Sequence, residues 1–499
     1  MNTRIERLAA PSLFVGAVAA TLAAVQPLAS PAAESSADGA RALIGMDPMC
    51  VADIPGVPMS VCFAPGTPAR EVAEVSQRLA ARWADDLAAR EMGEGGAAYQ
   101  LGQRWILSGS SAQGQPVTLR WSMPSDGISV PDDLFGGGAS PNNLNATFVT
   151  KFGTVEAGKN LVRQVFQRWS DLSGVNYTEV TDDDASWPGS SGGSTRGDIR
   201  IVGRTFPSTG VLAYNFFPNN GDMCIVTSNS GLWTTNNQNR YLRNILAHEH
   251  GHGLGFNHVC PQNSTKLMEP FLATNFDGPQ TDDIRCVNRA YGDRFEPNDS
   301  VAAGSVGWQS TTSVTTSLVN VSVDDNTDVD FYKFEATSGS TVNVSLSASG
   351  SSTAYNSGPQ NGDGSCSAGS PISARTIHDL NFQVLQGASG ATVLATAASA
   401  AAGSTEAVTG LALPATGTYF IRVYPSTATD DVQMYALTVT LNLAPAIPGD
   451  LDNNGRVDGG DLGIMLALWG PIACGNSADL NGDCSIDGAD LGILLSNWG

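Results

Sequence analysis

The chain has 499 residues, too many for one hydrophobic core, and about three or four domains are expected. Its 48 acidic residues against 26 basic ones argue against a nucleic-acid partner, which needs clustered Lys and Arg to neutralise phosphates. Only 15% of the residues are charged, and Gly, Ser, Thr and Asn are abundant, the texture of an exported, loop-rich and β-rich protein.

The N-terminus agrees. Arg4 and Arg7 precede the apolar stretch "PSLFVGAVAATLAAV", and "PLASPAAES" offers small residues for cleavage near Ala32 or Ala33. Residues 1–33 therefore read as a signal peptide of a secreted, extracellular protein, with cell-surface association left open. An uncleaved anchor is the competing reading, but the stretch is short for a bilayer and Pro11 interrupts it. No other segment could span a membrane. Residues 34–96 form an N-terminal or pro-region, in which "PAREVAEVSQRLAARWADDLAARE" has helical periodicity with Val72, Val75, Leu79 and Trp83 on or near one face. The 8 cysteines fit an oxidising compartment. Proximity in sequence suggests Cys50–Cys62, Cys260–Cys286 and Cys474–Cys484, leaving Cys224 and Cys366. Spacing alone does not fix the connectivity.

From residue 97 to 294 strands and helices alternate. "GQPVTLRWSM" alternates like a strand, and "AGKNLVRQVFQRWSDLSG" is an amphipathic helix with Leu161, Val165 and Trp169 on one stripe. "VNYTEV", "GDIRIVG" and "GVLAYNFF" read as short strands, and "NNQNRYLRNILAHEHGHG" as a second helix. Four of the five histidines follow one another in "AHEHGHGLGFNH", Ala247 to His258. Residues four apart share a helix face, so His248 and His252 can aim two imidazoles at one cation, with Glu249 beside them as a base. Gly255 ends the helix where a left-handed residue is easily accommodated, and the reversed chain can return His258 as a third nitrogen ligand. Three protein ligands and an open fourth position facing solvent describe a catalytic zinc and not a closed structural one. His250 lies on another side of the helix and receives no metal role. His378, in the later β-rich region, reads as an ordinary surface or strand residue.

These residues carry a family resemblance. HEHGHGLGFNH matches the pattern H-E-x-x-H-x-x-G-x-x-H, and "TKLMEPFL" supplies Met268 and Pro270 downstream. The combination resembles the matrixin branch of the metzincins, in which the methionine forms a floor under the zinc and is not a ligand. The resemblance implies peptide-bond hydrolysis, with Glu249 as general base and acid, and a protein or peptide substrate. "GVLAYNFFPNNGDM" is similar to the edge strand on which that family pairs an extended substrate, and "TDDIRCVNRAYGD" to its closing helix. "CIVTSNSGLW" lacks the histidines of a further structural zinc, so one zinc is expected. No PRCGxPD-type switch precedes the domain. Cys50 and Cys62 are the upstream thiols, and either a mutual disulfide or a cap on the zinc stays open.

Beyond residue 295 period-2 strands such as "TTSVTTSLVNVSV", "DFYKFEAT", "STVNVSLSAS", "LNFQVLQG" and "GTYFIRVYP" suggest a β-sandwich over 295–443. Together with "RFEPNDS" they resemble the bacterial pre-peptidase C-terminal domain. Residues 444–499 hold an internal repeat. Asp450, Asp452, Asn454, Arg456 (through its carbonyl), Asp458 and Asp461 fall at the ligand positions of a calcium loop. Asp479, Asn481, Asp483, Ser485 (through its carbonyl), Asp487 and Asp490 repeat the spacing, so two Ca2+ are expected. Gly455 makes the turn of the first loop; Cys484 replaces it in the second, a strained choice unless a bond to Cys474 holds it. The pair resembles a type I dockerin, which implies a cohesin-like or cell-envelope partner, although loop positions 10 and 11 carry Gly459, Gly460, Gly488 and Ala489.

The expectation is thus a multidomain chain: an α+β zincin catalytic domain, an all-β sandwich and a small α-helical, EF-hand-like calcium module. The leading function is a secreted zinc endopeptidase. The rival is a non-catalytic surface binding or assembly protein that uses the sandwich and the repeats. The intact Glu249 favours the enzyme.

Overall fold

The computed structural model describes residues 50–51, 59–64, 67–82, 99–107, 112–131, 138–189, 195–206, 210–302, 306–308, 314–361, 365–444 and 447–499. The expected signal peptide and Trp83 lie outside them. No described helix is long and apolar enough to cross a membrane.

The first half is built on a seven-stranded sheet. Its strands are β1 (Cys50–Val51), β2 (Met59–Phe63), β3 (Val117–Ser122), β4 (Val175–Glu179), β5 (Ile199–Arg204), β6 (Val211–Phe216) and β7 (Met223–Val226), in the order β1-β2-β6-β7-β5-β3-β4. β3, β4, β5 and β7 run parallel, so their connections must cross a face of the sheet. The helix α3 (Val155–Ser170) makes one such crossing, after α1 (Ala69–Arg82) and α2 (Leu144–Phe152). Thr154 caps α3 by accepting from the Ala157 N–H, and the helix buries Leu161, Val165 and Trp169, the stripe read from the sequence. In α1, Val72 and Val75 are buried as expected. α2 was not anticipated: LNATFVTKF has weak periodicity, and the helix stops at Gly153 with φ +86.

Two further helices frame the site. α4 (Asn236–Gly253) holds the histidines; its Asn237, Gln238 and Asn239 have left-handed φ values, so its regular part begins after them. α5 (Thr281–Tyr291) closes the region and is buried along its length.

The sequence reading took β6 for a free edge. Instead β2 pairs with it antiparallel, from Met59↔Phe216 to Phe63↔Val211. MSVCF is buried at every position, so an apolar run assigned to the pro-region completes the seven-stranded sheet. Cys62 is disulfide-bonded, and its partner in strand register is Cys50.

The second half is a sandwich. A five-stranded sheet orders 306–308, 330–336, 417–425, 380–386 and 392–397; a four-stranded sheet orders 314–323, 433–442, 341–348 and 405–412. Tyr332, Phe334, Val344, Tyr419, Ile421 and Leu437 fill the space between them. The sandwich is not a separate bead. Ile372, Ala374 and Val432 belong to the same apolar core as Trp169, Leu246 and Met268. A three-stranded ribbon makes the join: β8 (Val259–Cys260), β9 (Tyr355–Pro359) and β10 (Ser370–Ile372).

That ribbon corrects the disulfide reading. Cys260 bonds to Cys366, not to Cys286. Cys286 is a buried thiol on α5, packed into the core, whereas β9 brings its own hairpin alongside Cys260. Cys224 is likewise a buried thiol. The C-terminal repeats place α6 (Gly459–Ala467) and α7 (Gly488–Ser496) around a small core of Val457, Met465, Ala478, Ile486 and Leu494. Cys474 and Cys484 are joined as expected, and Cys484 sits at φ +67.

With its ends 106 positions apart in sequence, the Cys260–Cys366 link contributes roughly 4–5 kcal/mol in a chain-entropy account. Peptide mapping of unreduced protein should recover a Cys260–Cys366 dipeptide and an alkylatable Cys286 after unfolding. A Cys260–Cys286 peptide would refute the pairing.

Candidate metal and catalytic centre

The three expected ligands converge. The Nε2 atoms of His248 and His258 lie 3.2 Å apart, and those of His252 and His248 3.1 Å. These contacts are not hydrogen bonds between the rings. His248 Nδ1 lies 2.7 Å from the Leu267 carbonyl, His252 Nδ1 2.6 Å from the Phe256 carbonyl, and His258 Nδ1 2.8 Å from Gln360 Oε1. An oxygen acceptor requires the proton on Nδ1, so each neutral ring turns a bare Nε2 lone pair towards the other two. Burial pulls His248 down to about 3, His258 to about 4 and His252 well below the ordinary imidazole value, so the rings are neutral. Three lone pairs facing one another repel unless a cation lies between them. Four-coordinate zinc at its usual Zn–N distance spaces its nitrogens by about 3.3 Å. The donor set fits zinc.

Glu249 follows His248 on the helix. It is fully buried, both carboxylate oxygens are without a hydrogen-bond partner, and burial raises its pKa well above the usual carboxylate range. An orphaned carboxylate costs several kcal/mol unless a proton or a cation offsets it. His250 takes no part: its Nε2 bonds the Tyr177 hydroxyl at 2.6 Å and its ring packs on Phe166.

The glycines in this helix now have a reason. A Cβ on Gly251 would lie 2.4 Å from Met268 Sδ, so the bare backbone lets the methionine pack directly against the helix between His248 and His252. Gly255 adopts φ +103, and a Cβ there would strike the Gln103 carbonyl at 1.5 Å. Its turn brings the Phe256 carbonyl back onto His252 and carries the chain to His258. Met268 is tied on both sides. Its carbonyl accepts from the Val259 N–H, and Asp283 of α5 accepts from the Leu267 and Met268 N–H groups at 2.7 and 3.0 Å. Asp283 was not singled out from sequence. Its acidic neighbour Asp282 and the helix start offered only a capping signal.

A solvent-facing site was expected, but the three histidines are 0–1% exposed. The Phe217 ring stands edge-on to His252 at 5.8 Å, and Gln360 covers the far side of His258. His378 is also buried, not a surface residue, held by Thr427 and the Asp431 carbonyl.

In the C-terminal loops, Asp450, Asp452 and Asp461 bring carboxylate oxygens within 4.8 Å of one another, as do Asp479, Asp483 and Asp490. Asn454 and Asn481 bond to Asp452 and Asp483 within these loops. The Arg456 and Ser485 N–H groups bond Asn454 and Asp483, while Asp458 and Asp487 cap α6 and α7. A further cluster was missed from sequence. Glu296, Asp328 and Asp330 share the same 4.8 Å limit at the entrance of the sandwich. Burial, then the neighbouring carboxylates, push Glu296 up to about 10, and burial chiefly pushes Asp324 to about 8. Protons or a cation must offset that crowding. The signal was there, in "EPND" after α5 and "TDVD" at the start of a strand, but acidic residues in turns are too common to be read alone.

Comparison with known proteins divides along the same lines. Residues 144–292 match the matrixin family, and residues 328–425 match the bacterial pre-peptidase C-terminal domain. The chain is 33% identical over 147 residues to a hatching enzyme of Paracentrotus lividus, covering 27% of this chain and 22% of that protein. It is 30% identical over 139 residues to an interstitial collagenase of Equus caballus, covering 27% of this chain and 28% of that one. The chain thus spans about a quarter of the length of these curated relatives. Among solved structures, the pre-peptidase C-terminal domain of a Bacillus anthracis collagenase aligns at 15% identity and TM-score 0.16, over 27% of this chain and 92% of that chain. The two family matches fall on separate stretches of the chain, one on the histidine-bearing half and one on the sandwich.

Gly255→Ala should cost at least about 1–3 kcal/mol of stability through backbone strain and lower the zinc content of the purified protein. Thermal denaturation and metal analysis measure both. Unchanged values would overturn the role given to this turn.

Proposed function

We propose that the chain is a secreted zinc-dependent endopeptidase in which His248, His252 and His258 hold one catalytic zinc. The observation that carries this reading is the three Nε2 lone pairs facing one another beside the unpartnered carboxylate of Glu249. The matches to the hatching enzyme and the collagenase support it. When bound, zinc supplies a Lewis acid that lowers the pKa of a water and polarises a peptide carbonyl.

The protein's own groups do the rest. Glu249 takes the proton of the attacking water and hands it to the leaving amine. Leu267, Phe256 and Gln360 fix the imidazole tautomers. Met268 supports the rings from below without ligating.

The conformer described is closed to an extended peptide on the β6 edge, because β2 is already paired there. Cleavage therefore needs an opened form. Cys62, already in a disulfide, is not a thiol that caps zinc.

We further propose that the two C-terminal loops bind one calcium each, and that the repeats dock the enzyme to a cohesin-like or cell-envelope partner. Support for docking comes from Leu466, Trp469, Leu495 and Trp498, apolar side chains left exposed on or just beyond α6 and α7.

Glu249→Gln should retain zinc yet lose about 10²–10⁴-fold in turnover. A proteome-derived peptide library, incubated with and without a zinc chelator, provides the assay. Undiminished cleavage in the variant, or cleavage indifferent to the chelator, would remove the proposed mechanism. Calorimetric calcium titration should lose one site in Asp461→Ala and one in Asp490→Ala; unaltered stoichiometry in both would remove the calcium proposal.

A further inference from the structure

We infer that Gln360 is a positioning residue for the third zinc ligand, and that the sandwich hairpin carrying it clamps the metal site from outside the matrixin domain. The inference rests on the zinc reading above and adds to it the dependence of that site on a residue 102 positions away.

The geometry forms a closed ring. His258 leads into β8, whose Val259 and Cys260 pair antiparallel with Pro359 and Gly358 of β9. Cys260 is bonded to Cys366, Cys366 bridges back to Gln360 across the hairpin, and Gln360 Oε1 accepts from His258 Nδ1 at 2.8 Å. Gln360 is only 7% exposed, so its amide meets the imidazole away from competing water. A second tether holds the same hairpin: the Tyr355 hydroxyl donates to Asp282, the α5 neighbour of the Asp283 that secures the 267–268 turn.

The other two ligands are oriented by backbone carbonyls close in sequence, Phe256 for His252 and Leu267 for His248. His258 alone takes its orienting acceptor from a side chain in another domain. Removing that acceptor frees the ring to rotate and to move its proton onto Nε2, the atom that must stay bare to bind metal. Loss of an outer partner of a ligand imidazole typically weakens metal affinity 10–100-fold.

The test measures zinc affinity of the full chain by competition with a chromophoric chelator, for the unaltered protein, Gln360→Leu and Gln360→Glu. Gln360→Leu keeps the volume and removes the acceptor; Gln360→Glu restores an acceptor on the same stem. Gln360→Leu should bind zinc about 10–100-fold more weakly with its thermal unfolding midpoint little changed, and Gln360→Glu should recover most of the loss. Equal affinity in Gln360→Leu and the unaltered protein would overturn the clamp. Equal weakening in both variants would also overturn it, because shape alone would then matter. If the unaltered protein fails to bind zinc, the metal reading itself falls first, and the clamp with it.

Discussion

The site depends on one constraint: each of three buried imidazoles must spend its single proton on an oxygen behind it. Only then do three Nε2 lone pairs face one centre. Each acceptor has its own structural cause. The turn at Gly255 swings the Phe256 carbonyl under His252. Asp283 pins the turn that presents the Leu267 carbonyl to His248. The ribbon from the sandwich brings Gln360 to His258. Much of the first half of the chain can be understood as holding three oxygens still.

Burial gives this arrangement its chemical character. Burial at 0–1% exposure keeps the rings neutral and shields Glu249 from bulk solvent. Electrostatic interactions inside such a pocket are far stronger than in solvent. On the proposed peptidase reading, a substrate on the β6 edge would have to displace β2, so the form described is the closed one. The strand β2, seated on β6, is the clearest mark of the closed one.

The convergence of the three histidines was legible in sequence because their geometry is local. His248 and His252 are separated by one helical turn, and a glycine before His258 announces the reversal. The α3 stripe was readable for the same reason, Met268 came only with the family resemblance, and the repeated Asp spacing in the C-terminal loops announced itself by duplication. What escaped was non-local. Nothing in "GPQNG" marks Gln360 as a neighbour of His258, because their contact is created by strand pairing across 102 residues of chain. The partner of Cys260 was misjudged on the same ground: Cys286 is nearer in sequence but lies on a helix facing the core. The covering of β6 was hidden because MSVCF is too short to advertise a strand among the prolines and glycines around it. His378 looked incidental because its partners, Thr427 and Asp431, arrive from a distant loop.

The Cys260–Cys366 bond also changes what a backbone cut can achieve. A protease that nicks the polypeptide anywhere between those two cysteines yields two fragments that stay covalently joined, migrate as one species on a gel without thiol, and separate only after reduction. Shedding of the sandwich, if it occurs in an oxidising environment, therefore takes two severing events of different chemistry, one hydrolytic and one reductive.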